Sequence, residues 1–278
     1  MKKNMKRLAY FICLMLSMSM LTACSKVQNN KKSATVAVET PTFFFHGWGS
    51  SVNAEKHMVN AASSVLKTSV VTAMVDQSGK VTLSGKLKSH TKPIVMVGYR
   101  DNSNPNYRRD AFYAYQAIQA VKKRYQFKKM NLVGHSMGNM SIIFLIKNYH
   151  NRKSLPKIAK IVDIAGHFNG IRGMSEVSDS PLKQNGYPSK LDPTYQMLLP
   201  IKKIYPHAKV MNIFGDKQDG THSDGPVAVN SAKSLRYLAE PNASHYEEHE
   251  ILGKKAQHSQ LHENPEVDRL LVGFLWKN

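Results

Sequence analysis

The chain has 278 residues, with 39 lysines and arginines against 19 acids and only two cysteines, Cys13 and Cys24. So few cysteines exclude a disulfide-stapled scaffold, and the fold must rest on one hydrophobic core, which a body of about 255 residues can bury as a single domain. The net charge of +20 draws such a protein to anionic surfaces. At the N-terminus, Lys2, Lys3, Lys6 and Arg7 precede an apolar stretch from Leu8 to Met20. It is too short for a comfortable membrane span and reads as an export signal over residues 1–23.

Leu21-Thr22-Ala23-Cys24 closes that signal and resembles the lipobox of bacterial lipoproteins, in which the cysteine is acylated and becomes the mature N-terminus. The resemblance implies a lipid anchor at Cys24 on the outer face of a bacterial cytoplasmic membrane. Residues 24–41 are polar and lysine-bearing, without helical or strand period, and read as a tether to a body that begins near Thr42. Removing the signal takes the net charge from +20 to +16. Phospholipid head groups and anionic wall polymers are the partners this charge suits. Nucleic acid is not expected, because the export signal contradicts it and the lysines lack aromatic interleaving.

Apolar runs then alternate with helix-period segments, the pattern of a mostly parallel sheet with helices on both faces. Strands are expected at Thr42 to His46, Ser69 to Val75, Pro93 to Val97, Lys129 to Val133, Ile158 to Ile164 and Lys209 to Phe214. Tyr107 to Tyr125 carries Ala111, Ala114, Tyr115, Ile118 and Val121 at helical spacing. The segment after Ser136 is apolar nearly all round, which predicts a buried helix. From Gly166 to Pro206, glycines and prolines break every period, so residues 166–206 are expected to form a lid or cap over the site. A last helix, with Val267, Leu270, Leu271, Phe274 and Leu275 in phase, is announced by Asn264-Pro265.

Chemistry concentrates where the fourth strand meets the buried helix, at Gly134-His135-Ser136-Met137-Gly138. A G-x-S-x-G run between strand and helix is the signature of a nucleophile elbow, with Ser136 on a tight turn and its hydroxyl in an open cleft. A serine hydroxyl needs a base within hydrogen-bond reach and a carboxylate to orient it. Together with His46-Gly47-Trp48-Gly49, Ser223-Asp224-Gly225-Pro226-Val227 and His258-Ser259-Gln260-Leu261-His262-Glu263-Asn264-Pro265, the elbow resembles the exported α/β-hydrolases of Gram-positive bacteria. That resemblance spans Thr42 to Asn278. It implies an α/β-hydrolase fold, a Ser-His-Asp triad in the chain order serine, acid, histidine, no cofactor, and hydrolysis of carboxylic esters with short acyl chains.

The resemblance places the base just before the last helix, which favours His258 with His262 as the alternative. It places the acid after the Lys209 to Phe214 strand, where Asp224 is favoured over Asp216 and Asp219 because Asp-Gly-Pro-Val resembles the acid segment of bacterial lipases and esterases. The oxyanion donors implied are the backbone N–H groups of Met137 and Trp48, with the side chains of His46 and Trp48 lining the cleft. Other readings compete. His245-Tyr246-Glu247-Glu248-His249 matches a zinc-peptidase pattern, but Pro241 leaves little room for its helix and no third ligand is placed. The Asp216 to Asp224 cluster lacks the spacing of a calcium loop, so no metal is assigned. A lipase or acyltransferase acting on envelope lipids, or a non-catalytic binding lipoprotein on the same fold, are the functional alternatives.

Overall fold

A computed structural model of the chain describes residues 36–89 and 91–277. The expected export signal, Cys24 and the expected tether as far as residue 35 lie outside the described residues. In chain order the elements are β1 (Val36–Ala37), β2 (Thr42–Phe45), α1 (Lys56–Val65), β3 (Thr68–Val75), β4 (Val81–Gly85), β5 (Lys92–Tyr99), α2 (Tyr107–Arg124), β6 (Tyr125–Gln126), β7 (Lys129–His135), α3 (Met137–Tyr149) and β8 (Lys157–Ile164). They continue with α4 (Pro193–Leu198), β9 (Lys209–Asp216), α5 (Val229–Lys233), α6 (Leu235–Ala239), β10 (His245–Leu252) and α7 (Pro265–Trp276).

Eight strands form one sheet in the order β10-β9-β8-β7-β2-β5-β3-β4, parallel throughout except for β4, which pairs antiparallel with β3 at the edge. Each strand expected from its apolar run is present. The unbroken apolar runs follow from burial on both faces. Phe43 and Phe45 pack into the core under α2 and α3, while Phe44 between them enters the second core with Met58 and Val59 of α1 and Leu271 of α7. α3 is buried from Met137 to Ile146 because sheet, α2 and the helical turns after Asp192 enclose it.

Three features depart from expectation. The body starts at Val36 rather than Thr42: β1 pairs in parallel with β6, and Val38 N–H donates to Gln126 O at 3.0 Å. The edge strand β4 escaped the sequence reading because its Val-Thr-Leu-Ser-Gly run is short and half exposed, although the turn before it is written locally. Asp76 Oδ1 accepts from Ser78 and Lys80 N–H, and Gly79 sits at φ +88°. Finally, residues 166–206 are two things, not one cap. Residues 166–192 are turns and an isolated bridge, Leu182 to Pro188, whereas Tyr195, Leu198 and Ile201 are buried in the core beside α3.

The sheet order reverses around β2, whose neighbours are β7 and β5. Loops leaving the carboxyl ends of adjacent strands diverge at such a switch point and open a crevice, the usual ligand position in an open α/β sheet. The loops after β2, β7, β8, β9 and β10 all border it.

Candidate active site

β7 ends at His135 and α3 begins at Met137, so Ser136 alone makes the turn, at φ 53° and ψ −119°. A β-carbon is crowded in that region, at a cost of about 1–3 kcal/mol, and it persists only where surrounding bonds over-determine it. Here Ser136 N–H donates to Ile164 O at 2.9 Å, and Asn139 N–H donates back to Ser136 O at 3.0 Å. The Asn139 side-chain amide closes the arrangement by donating to Ser136 O at 3.0 Å and Ile164 O at 2.8 Å. Asn139 is fully buried and was not singled out in the sequence, although it is the residue that ends the Gly-His-Ser-Met-Gly-Asn run.

The flanking glycines are steric requirements. A β-carbon on Gly134 would lie 2.5 Å from Asn139 Oδ1, and one on Gly138 would run into the Phe45 carbonyl. Phe45 is register-paired with Gly134, so β2 and the start of α3 meet with no room between them. Gly138→Ala is therefore expected to lower stability by about 1–3 kcal/mol. It should also weaken labelling of Ser136 by an active-site phosphonate, because relief requires α3 to slide away from the β2 turn. Unfolding curves and labelling rates of the pair check this; an unchanged midpoint would refute the close approach.

The structure brings together one member of each candidate set. His258 Nε2 lies 2.9 Å from Ser136 Oγ, and His258 Nδ1 lies 2.7 Å from Asp224 Oδ2. Asp224 is 1% exposed, its other oxygen accepts from Val227 N–H at 2.8 Å, and its carbonyl accepts from His258 N–H at 3.0 Å. Asp224 and His258 are thus locked together by side chain and backbone at once. Asp216 and Asp219 serve turns instead. Asp216 Oδ1 accepts from Gln218 N–H at 2.7 Å, and Asp219 accepts from Thr221 N–H at 3.1 Å and pairs with Lys217 at 2.6 Å. The Lys217 ammonium, then Thr221, hold the Asp219 carboxyl below the usual carboxylate range.

His262 is buried beside the site without reaching Ser136. Its ring meets His135 edge-on at 4.7 Å, and His135 in turn places Nε2 3.0 Å from His258 O. His135 thereby fastens the loop that carries His258 to the strand that carries Ser136. Burial, then the neighbouring His258 and His262, push the His135 pKa well below its ordinary value. Burial likewise lowers His167 to about 4. Both rings are neutral at pH 7, so they add no cation to compete with a protonated His258.

A cleft of about 470 Å³ opens over Ser136. Gly47, Trp48 and Met137 form one wall, Tyr107 and His167 another, and Ile171, Met174 and Pro226 an apolar rim. Trp48 is 52% and Met174 85% exposed, so the mouth is apolar and open to solvent. The Trp48 amide has no acceptor among the described residues, and Met137, the first helical residue, has none within its helix. Gly47 lets the turn close in: a β-carbon there would sit 3.2 Å from that of Ser136. His46 corrects the expectation that it lines the cleft. Its ring is buried, Nδ1 donating to Gly47 O and Nε2 accepting from Tyr99 N–H at 3.2 Å, so it braces the turn from behind. Of residues 166–206, only His167, Ile171 and Met174 reach the cleft, and Arg172 ties this stretch to the acid loop through Ser223 Oγ and Gly225 O.

The zinc-peptidase pattern falls on β10, not on a helix. His245, Glu247 and His249 alternate onto one face, where both rings contact Glu247, while Glu248 points the other way to Arg236 at 2.6 Å.

The model of the family described as alpha/beta hydrolase of unknown function, DUF915, matches residues 29–278. The chain belongs to the DUF915 family. As a solved structure similar to this DUF915 hydrolase, the lin2722 product of Listeria innocua is 26% identical over 86% of this chain and 95% of its own, with a TM-score of 0.77. A candidate cell surface hydrolase from Lactobacillus plantarum WCFS1 is 20% identical over 86% and 91%, with a TM-score of 0.66. A carboxylesterase from Bacillus subtilis overlays more loosely, at 13% identity over 86% and 85% and a TM-score of 0.48. No curated protein matches the sequence. Family and fold together make this DUF915 chain an α/β-hydrolase.

Proposed function

We propose that this DUF915 protein is an extracytoplasmic carboxylic-ester hydrolase working through an acyl-enzyme on Ser136. The observation that carries the reading is the unbroken hydrogen-bond chain Asp224–His258–Ser136, at 2.7 and 2.9 Å, ending on a strained serine under two unengaged amides. In the first step His258 Nε2 takes the Ser136 proton as Oγ attacks the ester carbonyl, and the Met137 and Trp48 N–H groups receive the oxyanion. His258 then gives that proton to the departing alcohol. Water then attacks the acyl carbon and gives a proton to the same nitrogen, and the acid leaves as the acyl–Oγ bond breaks and Ser136 Oγ takes that proton back. Asp224 keeps Nδ1–H pointed away from the serine and balances the imidazolium charge. The apolar rim of the cleft suits an acyl chain, the resemblance to exported esterases favours a short one, and the N-terminal signal with Cys24 supports export and lipid anchoring.

The test is a fluorophosphonate probe, with the labelled peptide identified, alongside p-nitrophenyl esters of graded chain length. Labelling on Ser136 and turnover that peaks at short chains are expected. A long-chain peak would move the assignment to a lipase in which residues 166–192 act as the lid. Absence of both labelling and turnover would leave a binding module on a hydrolase fold.

A further inference from the structure

The lysines are not spread evenly over the domain. All parallel strands start at one end of the sheet, and exposed lysines stand at or beside most of those starts: Lys67, Lys92, Lys128, Lys129, Lys157 and Lys209. The ladder sets them in a row. Lys92 N–H donates to Lys67 O at 2.8 Å, Lys157 N–H donates to Lys128 O at 3.0 Å, and Lys160 is register-paired with Lys209. Because β4 is antiparallel it ends where the others begin, so Lys86 and Lys88 come to the same end, where Lys88 N–H donates to Ser69 Oγ near the start of β3. The last turn of α2 brings Lys122, Lys123 and Arg124 to the same end. Helix C-termini lie at this end and attract cations through their dipoles, but only within about a turn, so Lys92, which follows β4, and Lys209, which follows no long helix, are outside that effect.

Among the described residues the one ion pair formed by these strand-start lysines is Lys92 with Glu39, at 3.4 Å. Lys160 is half-buried and donates Nζ to Phe274 O and Leu275 O at the end of α7. Burial, then the Lys209 and Lys92 ammonium groups, hold its pKa down. The carboxylates gather at the opposite end, beyond the strand carboxyl ends, with Asp76, Asp101, Asp216, Asp219, Glu263 and Glu266. Val36 pairs with Tyr125, just after the last turn of α2, so the first described residue lies at the lysine end.

We propose that the lysine-bearing end of the sheet is a docking face for an anionic phospholipid bilayer, which turns the catalytic cleft away from the membrane. Eight strands at about 4.8 Å spacing make this end roughly 35 Å wide, the breadth of a surface rather than of a groove for a single polymer chain. Charge complementarity and the point where the N-terminal chain joins the domain both select the bilayer. Eight-residue strands hold the cleft about 25 Å above that face, so it takes esters from outside the membrane instead of bilayer lipids. This orientation does not depend on the ester reading.

The test uses the full chain, inserted from outside into vesicles of equal phosphatidylglycerol and phosphatidylcholine or of phosphatidylcholine alone. Lysines are acylated briefly by a water-soluble reagent and read by mass spectrometry. At low salt, Lys128, Lys129, Lys157 and Lys209 are expected to react on the order of fivefold less in the anionic vesicles, with Lys217, Lys254 and Lys255 unchanged. About 1 M salt, where the screening length is about 3 Å, should erase the difference. A Lys128→Glu, Lys157→Glu, Lys209→Glu variant with an unchanged melting temperature should lose protection of Lys129. Equal reactivity in the two vesicles, or protection falling on Lys217, Lys254 and Lys255, would overturn the proposal. So would protection produced by a soluble glycerol-phosphate polymer and not by phosphatidylglycerol, which would assign the face to the wall.

Discussion

Ser136→Ala is expected to lower kcat on the best p-nitrophenyl ester by on the order of 10⁶-fold, and Asp224→Asn by about 10⁴-fold. In the proposed mechanism Ser136 Oγ forms the acyl-enzyme, so its removal leaves only what binding and the oxyanion amides supply. Replacing Asp224 keeps the shape but leaves His258 Nδ1 facing an amide, so the ring loses both its tautomer and the charge that balances its protonated form. Asp216→Asn and Asp219→Asn are the discriminating controls. Each of those carboxylates is engaged in its own turn, 2 residues from the amide it accepts, and neither is hydrogen-bonded to His258. They should change kcat by no more than about threefold while shifting stability modestly. Steady-state kinetics of the four variants read this out. A large loss at Asp216 or Asp219, with Asp224→Asn near wild type, would reassign the acid.

Asp163→Asn is expected to stabilise the protein at pH 8 and to leave it nearly unchanged at pH 4. Asp163 lies mid-sheet on β8, between Gly134 and Asn212, fully enclosed, with Oδ2 lacking any partner. Burial alone raises its pKa from 3.8 to about 8. The folded protein therefore holds a proton that the unfolded chain releases near pH 4. Stability from this group is fully present below that pH and is lost as the pH climbs toward 8, at about 1.4 kcal/mol per unit. Asparagine has the same shape and no charge to bury, so its pH dependence over that window should be flatter. Since 1 kcal/mol moves the midpoint of a chain this size by about 2–4 °C, and the four units between 3.8 and about 8 amount to about 6 kcal/mol, the two melting curves should separate by on the order of 10–20 °C at pH 8 and converge near pH 4. Parallel curves across the window would mean that the carboxyl ionises in place.

What was legible in the chain was local. The elbow announces itself because strand, turn and helix are contiguous, and each glycine in it answers a clash that involves the turn's immediate neighbours or the adjacent strand. The central strands were legible because burial on both faces forces unbroken apolar runs, and α7 because Asn264 caps Glu266 N–H at 2.8 Å ahead of Pro265. β4 and the docking of Val36 were not, since two-residue pairing and a half-exposed edge leave almost no periodic trace. His46 illustrates another limit: its type and spacing suit a cleft, yet its ring faces the Tyr99 amide.

Taken by itself, the sequence determined the α/β order, the Ser136 turn, the final helix and the short sets of candidate acids and bases. Only the tertiary structure brought Asp224 and His258 out of those sets into one hydrogen-bonded chain with Ser136, and it alone aligned lysines scattered over more than 140 positions into one row at the foot of the sheet. The reason is range. Steric and hydrogen-bond demands within a turn act on neighbouring residues and are written there, whereas the selection of Asp224 over Asp216 depends on how the loop after β9 folds back toward the loop after β10. That meeting is made by parallel strand pairing, which leaves no mark at either residue.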